Sequence, residues 1–179
     1  KSPLSRLTLK PLNETLPVQD LERGNTDIAI GYFPQVPPHF YQQQLFIEDF
    51  VAVIHKDAFK GSGSINLKDF TSYKHLLVAP WGETSGIADK ILARHGLKRT
   101  VVVSTPYFLT APYIAVETQL LVILPRRLAL SFSKLLPLKV LELPIQIPKL
   151  SFKQIWHGRT HSEPAQSWLR KEILQILDR

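Results

Sequence analysis

The stretch HLLVAPWGETSGIADKILARHGLKRTVVVS (His75–Ser104) contains the pattern that decides the fold. The short apolar run at 75–79 predicts a strand, and the segment 87–96 predicts a helix that ends at Gly96. The run at 99–104 predicts a second strand. Strands that alternate with helices are typical of parallel sheets. The stretch therefore predicts an α/β fold.

The same alternation continues on both sides of this stretch. Towards the N-terminus we expect a strand at Leu7 and Leu9 and a helix that ends at Gly24. The run Ile28–Ile30 has no polar face, which is typical of a strand buried on both sides in a parallel sheet. The remaining predicted elements are a long strand-like region from Gln43 to Ala58, a short helix capped by Asn66, helices at 106–118 and 125–136, strands at 120–124, 138–144 and 150–158, and a final helix from Glu163. This pattern predicts largely parallel sheets covered by helices.

Composition excludes several kinds of protein. The chain has 179 residues, of which 44% are apolar and 21% charged, close to the globular average. It contains no cysteine, so disulfides, thiolate catalysis and cysteine-based zinc sites are excluded. The net charge of +7 is modest and forms no dense basic stripe, which favours an ordinary solvated surface over nucleic-acid binding.

The first residues, KSPLSRLTLKPL, lack the apolar core and cleavage site of a secretory signal, and no apolar run is long enough to span a membrane. The chain begins with Lys1 instead of methionine, which favours a fragment or an excised domain. We expect a cytoplasmic protein with no membrane association.

Two strand-to-helix turns carry the best candidates for binding. Thr84 and Ser85 precede a predicted helix, where hydroxyls and free backbone N–H groups can hold a ligand. Ser104 and Thr105 occupy the same position in the next unit. Serine and threonine are also common helix caps without any ligand. Two such turns occur in one α/β series, and Tyr32 and Phe33 lie at another strand end. This arrangement favours a binding site, because open α/β sheets bind ligands at the carboxyl ends of strands.

The segment IWHGRTHSEPAQSWLR (Ile155–Arg170) raises the question of a metal site, since His157 and His161 are four residues apart. Gly158 and Pro164 make a continuous helix there unfavourable, and no third ligand is nearby. We interpret the segment as a strand end, a cap and the start of a helix. The sequence also lacks phosphate-loop, dinucleotide-binding, serine-hydrolase and metalloprotease motifs. We expect no metal, no cofactor and no catalytic residues.

Four stretches in order carry a family resemblance: DLERGNTDIAIGYF, EDFVAVIHKDA, STPYFLTAPYIAVETQLLVILPRRLA and WHGRTHSEPAQSWLR. They resemble the regulatory, or effector-binding, domain of LysR-type transcriptional regulators. The resemblance implies a type 2 periplasmic-binding-protein-like fold, with two α/β lobes of mainly parallel sheets joined by two crossover strands. The crossovers would fall at Phe50–His55 and near Leu141–Pro144. Lobe one would comprise 1–53 and 144–179, and lobe two 54–143. Domains of this family begin with a further strand and helix, which we expect to be missing here.

The resemblance also implies a function. A small anionic or aromatic effector would lie between the lobes, contacted by Tyr32, Phe33, Thr84, Ser85, Ser104, Thr105 and Phe108. The domain would be non-enzymatic and would form a homodimer or homotetramer. DNA would be bound only through an N-terminal winged helix-turn-helix that is not in this chain. Two alternatives stay open: a solute-binding protein that serves a transporter, and an enzyme on the same scaffold, for which an acid/base pair would be expected.

Overall fold

The computed structural model describes residues 5–12, 15–61 and 63–177. The chain forms two compact units. The first comprises Lys1–Phe46 and Ser151–Arg179, and the second comprises Ile47–Leu150. Within the described ranges, none of the helices has the length and apolar character that crossing a membrane requires.

The regular elements, in chain order, are α1 (Val18–Arg23), β1 (Ala29–Tyr32), β2 (Phe40–Glu48), β3 (Phe50–His55), α2 (Leu67–Ser72), β4 (Lys74–Val78), α3 (Ile87–Arg94), β5 (Thr100–Thr105), α4 (Ala111–Thr118), β6 (Leu121–Pro125), α5 (Arg126–Ser133), β7 (Leu138–Leu141), β8 (Leu150–His157), a 3-10 turn (Gly158–Thr160) and α6 (Pro164–Leu177). The α/β class predicted from the sequence is confirmed.

The first unit contains a sheet in the order β1-β8-β2. Strand β1 is antiparallel to β8, with Ala29 opposite Ile155. Strand β1 lies at the edge of this sheet, and its residues alternate between buried and exposed, because one face packs on the core and the other faces solvent. Ile30 is on the exposed face. The expectation that Ile28–Ile30 is buried on both sides in a parallel sheet is therefore wrong. An apolar run of three residues does not distinguish an edge strand from a central one.

The second unit contains a mixed five-stranded sheet in the order β5-β4-β6-β3-β7. Strand β4 is parallel to β5 and β6, whereas β3 is antiparallel to β6 and β7. The expectation of mainly parallel sheets is corrected here. Helix α5 connects β6 to β7 in the usual parallel sense, but β3 lies between these two strands and runs the other way. Apolar periodicity marks a strand without indicating its direction.

Strand β3 separates two apolar cores. Val51 and Val53 pack on one face of the sheet, in a cluster that includes residues of α4 and α5. Ala52 and Ile54 pack on the opposite face, in a cluster that includes residues of α2 and α3. Since successive strand residues point to opposite faces, this six-residue segment contributes to both cores.

Several local predictions are confirmed by cap geometry. Helix α1 ends at Gly24, whose φ of 78° is left-handed and suits glycine. Helix α2 begins after Asn66, whose side-chain oxygen accepts the Asp69 N–H at 2.8 Å. The long strand-like region also exists, but it is divided at Asp49 into β2 and β3.

One predicted element is wrong, and another begins later than predicted. Residues 5–12 contain no strand, and Leu9 is 86% exposed. The alternation of Leu7 and Leu9 is not sufficient, because a strand also needs a neighbour to pair with and a core to cover. The helix predicted from Pro106 begins only at Ala111. Residues 106–110 instead form a turn closed by side-chain hydrogen bonds.

The predicted lobe boundaries stay a prediction. The contact-defined units divide between Phe46 and Ile47 and between Leu150 and Ser151. Strand β3, which we expected to contain the first crossover, lies wholly within the second unit because its pairing partners β6 and β7 are there.

A fully buried histidine lies at the start of β4. The Nε2–H of His75 donates to the Phe70 carbonyl oxygen at 2.8 Å. The pKa of His75 is lowered to about 4, mainly by burial. The charge of Arg99 also lowers this pKa, whereas the backbone hydrogen bond to Phe70 and the charge of Asp89 raise it. The folded protein therefore holds this imidazole neutral at neutral pH.

Acid should destabilise the protein through His75. Below the unfolded pKa of 6.5 the unfolded chain binds a proton that the folded chain does not bind until about 4. Stability should therefore fall by roughly 3 kcal/mol across this window. Denaturant titrations at several pH values should show this loss in the parent and in the control His95→Gln, which changes an exposed histidine. His75→Gln should remove most of it, and a His75→Gln curve parallel to that of the parent would contradict the assignment.

Candidate functional site

The two turns singled out in the sequence leave the same edge of the second unit's sheet. Strands β4 and β5 are parallel neighbours, with Val78 opposite Thr105. The Ala79 N–H donates to the Thr105 carbonyl at 2.8 Å just beyond this pair. The turn 79–86 and the turn 106–110 therefore start side by side. This juxtaposition confirms that the carboxyl ends of two adjacent parallel strands meet here.

The turn 79–86 presents hydroxyls and one large aromatic ring. Thr84 and Ser85 are exposed, and their part in ligand binding stays a prediction. Trp81, in the same turn, is 54% exposed. Gly82 closes the first part of the turn: its N–H donates to Ala79 at 3.1 Å, and its φ of 81° is one that other residues rarely adopt. The turn thus has a defined backbone with its polar side chains facing solvent.

The turn 106–110 is held by the Thr105 hydroxyl, which is buried. Its oxygen accepts the Tyr107 N–H at 3.3 Å and lies 3.3 Å from the Thr110 hydroxyl. Thr110 in turn donates to the Tyr107 carbonyl at 3.1 Å. These bonds give Thr105 a structural role in shaping the turn. Ser104 and Tyr107 are exposed, the latter by 65%, whereas Phe108 is half-buried against an apolar core.

Tyr32 and Phe33 belong to the first unit. Tyr32 ends β1 and is exposed, whereas Phe33 is buried in that unit's core. Phe33 also lines a surface depression of about 640 Å³ together with Val18 and a proline-rich loop, 34–37. Tyr32 and Phe33 are adjacent in the chain, but their side chains lie in different environments. Their part in binding stays a prediction.

A second depression, of about 420 Å³, lies beside an ion cluster in the second unit. The Arg126 Nε donates to both Asp49 oxygens at 2.9 and 3.0 Å, and its two terminal nitrogens donate to the Glu142 carboxylate at 2.6 and 2.8 Å. The hydrogen bond from Arg126 holds the pKa of Glu142 below its usual range, and these partners raise the pKa of Arg126. Because two carboxylates already neutralise this guanidinium, the cluster ties β3, α5 and β7 together and is a poor site for a further anion.

The histidines near the C-terminus occupy structural positions. His157 ends β8, and its Nδ1 accepts the Arg159 N–H at 3.2 Å. His161 stacks on Tyr41 with 3.8 Å between ring centroids and accepts the Trp156 N–H at 3.3 Å. Among the described residues, no group of three or more candidate ligands could hold a metal ion. The interpretation of this segment as a strand end followed by a helix is confirmed.

Sequence reasoning missed two exposed aromatic residues in these turns, Trp81 and Tyr107. Trp81 follows the mostly buried strand β4 and Tyr107 follows the mostly exposed strand β5, each within a stretch that contains proline and small or polar residues. A large aromatic ring in such a turn has little apolar core to pack against, so we would expect it to be exposed. This expectation is the signal that could have identified Trp81 and Tyr107. Together with Thr84, Ser85 and Ser104 they give the sheet edge both apolar faces and hydroxyls, a combination suited to a small ring-containing ligand.

The chain is similar to one protein family and to several known transcriptional regulators. Residues 1–178 match the model of a family described as "LysR substrate binding domain". The HTH-type transcriptional activator NahR of Pseudomonas putida is 30% identical over 159 residues, which are 89% of this chain and 53% of NahR. A solved structure described as a probable transcriptional regulator from Pseudomonas aeruginosa is 29% identical with a TM-score of 0.76, and the match covers 89% of this chain and 53% of that one.

The effector-binding domain of QuiR in complex with shikimate has a TM-score of 0.65, and the match covers 90% of this chain and 76% of that chain. At 17% identity this likeness shows the fold alone. The chain spans about half the length of the curated relatives it matches, 53% of NahR and 56% of the HTH-type transcriptional activator NagR of Ralstonia sp.

Replacing Thr105 should test its structural role. Thr105→Val removes the acceptor of the Tyr107 N–H and should reduce the free energy of unfolding by about 1 kcal/mol. The matched control is Thr100→Val, at the exposed first residue of the same strand, which should change stability little. Denaturant titrations followed by circular dichroism would measure both. Equal stability of the two variants would contradict the role assigned to this hydroxyl.

Proposed function

Because the chain belongs to the LysR substrate-binding domain family, we propose that it is the ligand-sensing part of a bacterial LysR-type transcriptional regulator. The family assignment confirms the resemblance identified from four stretches of sequence. The curated relatives quoted above are transcriptional regulators, which does not support the alternative of a solute-binding protein for a transporter.

The observation that carries the proposal is the pairing of two polar, aromatic-bearing turns at one sheet edge. Turns 79–86 and 106–110 leave adjacent parallel strands, and each contains an exposed aromatic residue. Two backbone donors of the turn 79–86 are already occupied, because the Trp81 N–H donates to Glu83 and the Gly86 N–H donates to Asp89. These N–H groups are therefore not available to hold an inorganic anion. We therefore favour a small aromatic or ring-shaped effector that carries hydroxyl or carboxyl groups over a simple inorganic anion.

In this proposal the effector acts by shifting the population of domain conformations. A ligand that binds one conformation better than another moves the equilibrium by its differential affinity. Contact with DNA would be made by another part of the protein, since NahR and NagR are HTH-type activators and this chain spans about half of their length.

The effector site can be tested with defined probes. Benzoate, phenol, shikimate and inorganic phosphate would be screened by thermal shift, and any binder would be measured by calorimetry. Thr84→Val and Ser104→Ala should each weaken binding roughly tenfold, because each removes one hydrogen-bonding hydroxyl. Both side chains are exposed, so stability should not change.

The matched controls are Thr100→Val and Ser131→Ala, two exposed hydroxyl residues outside the turns. Unchanged affinity in both Thr84→Val and Ser104→Ala would remove the turns from the site. Binding of phosphate alone would contradict the proposed effector class.

We also propose that the domain self-associates through β5 with a second copy of this chain. Strand β5 is an edge strand of the second unit's sheet, and it exposes Val102 by 46% and Val103 by 38%. Ile87, at the start of α3, is also exposed. A register irregularity between His75 and Leu76 interrupts the ladder opposite Val102. The proposed contact therefore consists of apolar side chains instead of a continuous intermolecular sheet.

A charge at this edge should oppose association. Val102→Lys should shift the protein towards monomer by roughly tenfold or more in dissociation constant, because a lysine would be desolvated at an apolar contact. Leu130→Lys, on an exposed position of α5, is the control. Sedimentation velocity at several concentrations would measure both variants. An identical mass distribution for Val102→Lys and the parent would exclude β5 as the contact.

A further inference from the structure

We propose that His75, Arg99 and Asp89 form a largely buried hydrogen-bonded network that positions the turn 79–86 and thereby the effector-binding hydroxyls of that turn. The three are positioning residues, since they act through the backbone of the turn. The link to effector binding rests on the function proposed above, whereas the effect on the turn itself does not.

Arg99 is the centre of the network. Its side chain is only 2% exposed, although it lies just before the edge strand β5. Its Nε and Nη2 donate to the two Asp89 oxygens at 2.8 and 2.9 Å, and its Nη1 donates to His75 Nδ1 at 3.2 Å. A buried guanidinium is tolerated only when such partners replace water. The geometry at Arg99 is therefore strongly constrained by both neighbours.

His75 connects Arg99 to the interior of the unit. Because its Nε2–H donates to the Phe70 carbonyl, the neutral ring leaves Nδ1 free to accept the hydrogen bond from Arg99. The ring also makes an edge contact with the Phe70 ring, with 4.9 Å between centroids. One end of the network is thus anchored to α2 and to the core, where little movement is possible.

Asp89 connects Arg99 to the turn. Its Oδ2 accepts the Gly86 N–H at 2.7 Å, and Gly86 is the last residue before α3. A Cβ on Gly86 would lie 3.1 Å from Leu77 Cδ1, so the backbone at this point is also held close to β4. The other end of the turn is fixed at Ala79 by its bond to Thr105. Thr84 and Ser85 lie between these two anchors.

The consequence is a specific division of roles. The exposed hydroxyls would contact the effector, while the network sets where the backbone that carries them lies. Removing one partner leaves a buried charge without its counterpart, which opens the structure locally around that charge. The rest of the sheet, centred on β3, has its own apolar packing on both faces. The effect should therefore concentrate on residues 80–88.

Amide hydrogen exchange of the free domain is the first test, and it requires no effector. Asp89→Asn keeps the shape of the side chain but removes its charge, and exchange of residues 80–88 should accelerate roughly tenfold or more. Arg99→Lys keeps the charge but loses the two-pronged contact, and it should accelerate exchange less. The matched controls are Glu117→Gln and Arg94→Lys, which make the same chemical changes at exposed positions.

Exchange in β3 and β6 distinguishes positioning from general stability. Faster exchange confined to 80–88 supports the proposal. Unchanged exchange there in both variants, or an equal loss of protection across β3 and β6, overturns it. In the second test benzoate affinity is measured for the same variants, and the proposal expects a loss that follows the order of the exchange effect. If the parent protein does not bind benzoate, that result counts against the effector-binding role proposed for the turns. The hydrogen-exchange result would still test whether the network positions the turn 79–86.

Discussion

Strand β3 must satisfy two apolar cores at once, and the second unit is built around this constraint. Its four central residues alternate between a cluster with α4 and α5 and a cluster with α2 and α3, and all four are completely buried. A strand in this position cannot shift by one residue without moving every side chain to the wrong face. The register of β6 and β7 on either side follows from it, and β4 and β5 extend the sheet to the edge that carries the candidate site.

Charged side chains join the elements that the apolar cores do not hold directly. Arg126 connects the start of α5 to Asp49 before β3 and to Glu142 after β7. Arg99 connects the residues around β5 to the first turn of α3. In both cases one guanidinium contacts two separate parts of the chain, which its planar set of donors permits. Such contacts fix geometry more than they add stability, because the desolvation of the ions offsets much of the attraction.

The candidate site agrees with the family assignment, and each gives different information about the protein. The family model matches nearly the whole chain, and it says what class of protein this domain belongs to. The paired turns say which surface of the second unit offers hydroxyls and aromatic rings together. The carboxylates of Glu83 and Asp89 narrow the chemistry of the effector, because they already accept the Trp81 and Gly86 N–H groups that could otherwise hold an inorganic anion.

The sequence by itself determined the α/β class, most helices and strands of the second unit, the caps at Gly24 and Asn66, and the family, because these depend on local periodicity, cap chemistry and motif order. Only the tertiary structure decided that β3 runs antiparallel between β6 and β7, that residues 5–12 form no strand, and that Thr105 shapes a turn. It also brought His75, Asp89 and Arg99 together. Strand direction, edge position and polar partners depend on residues far apart in the chain, so no local pattern records them.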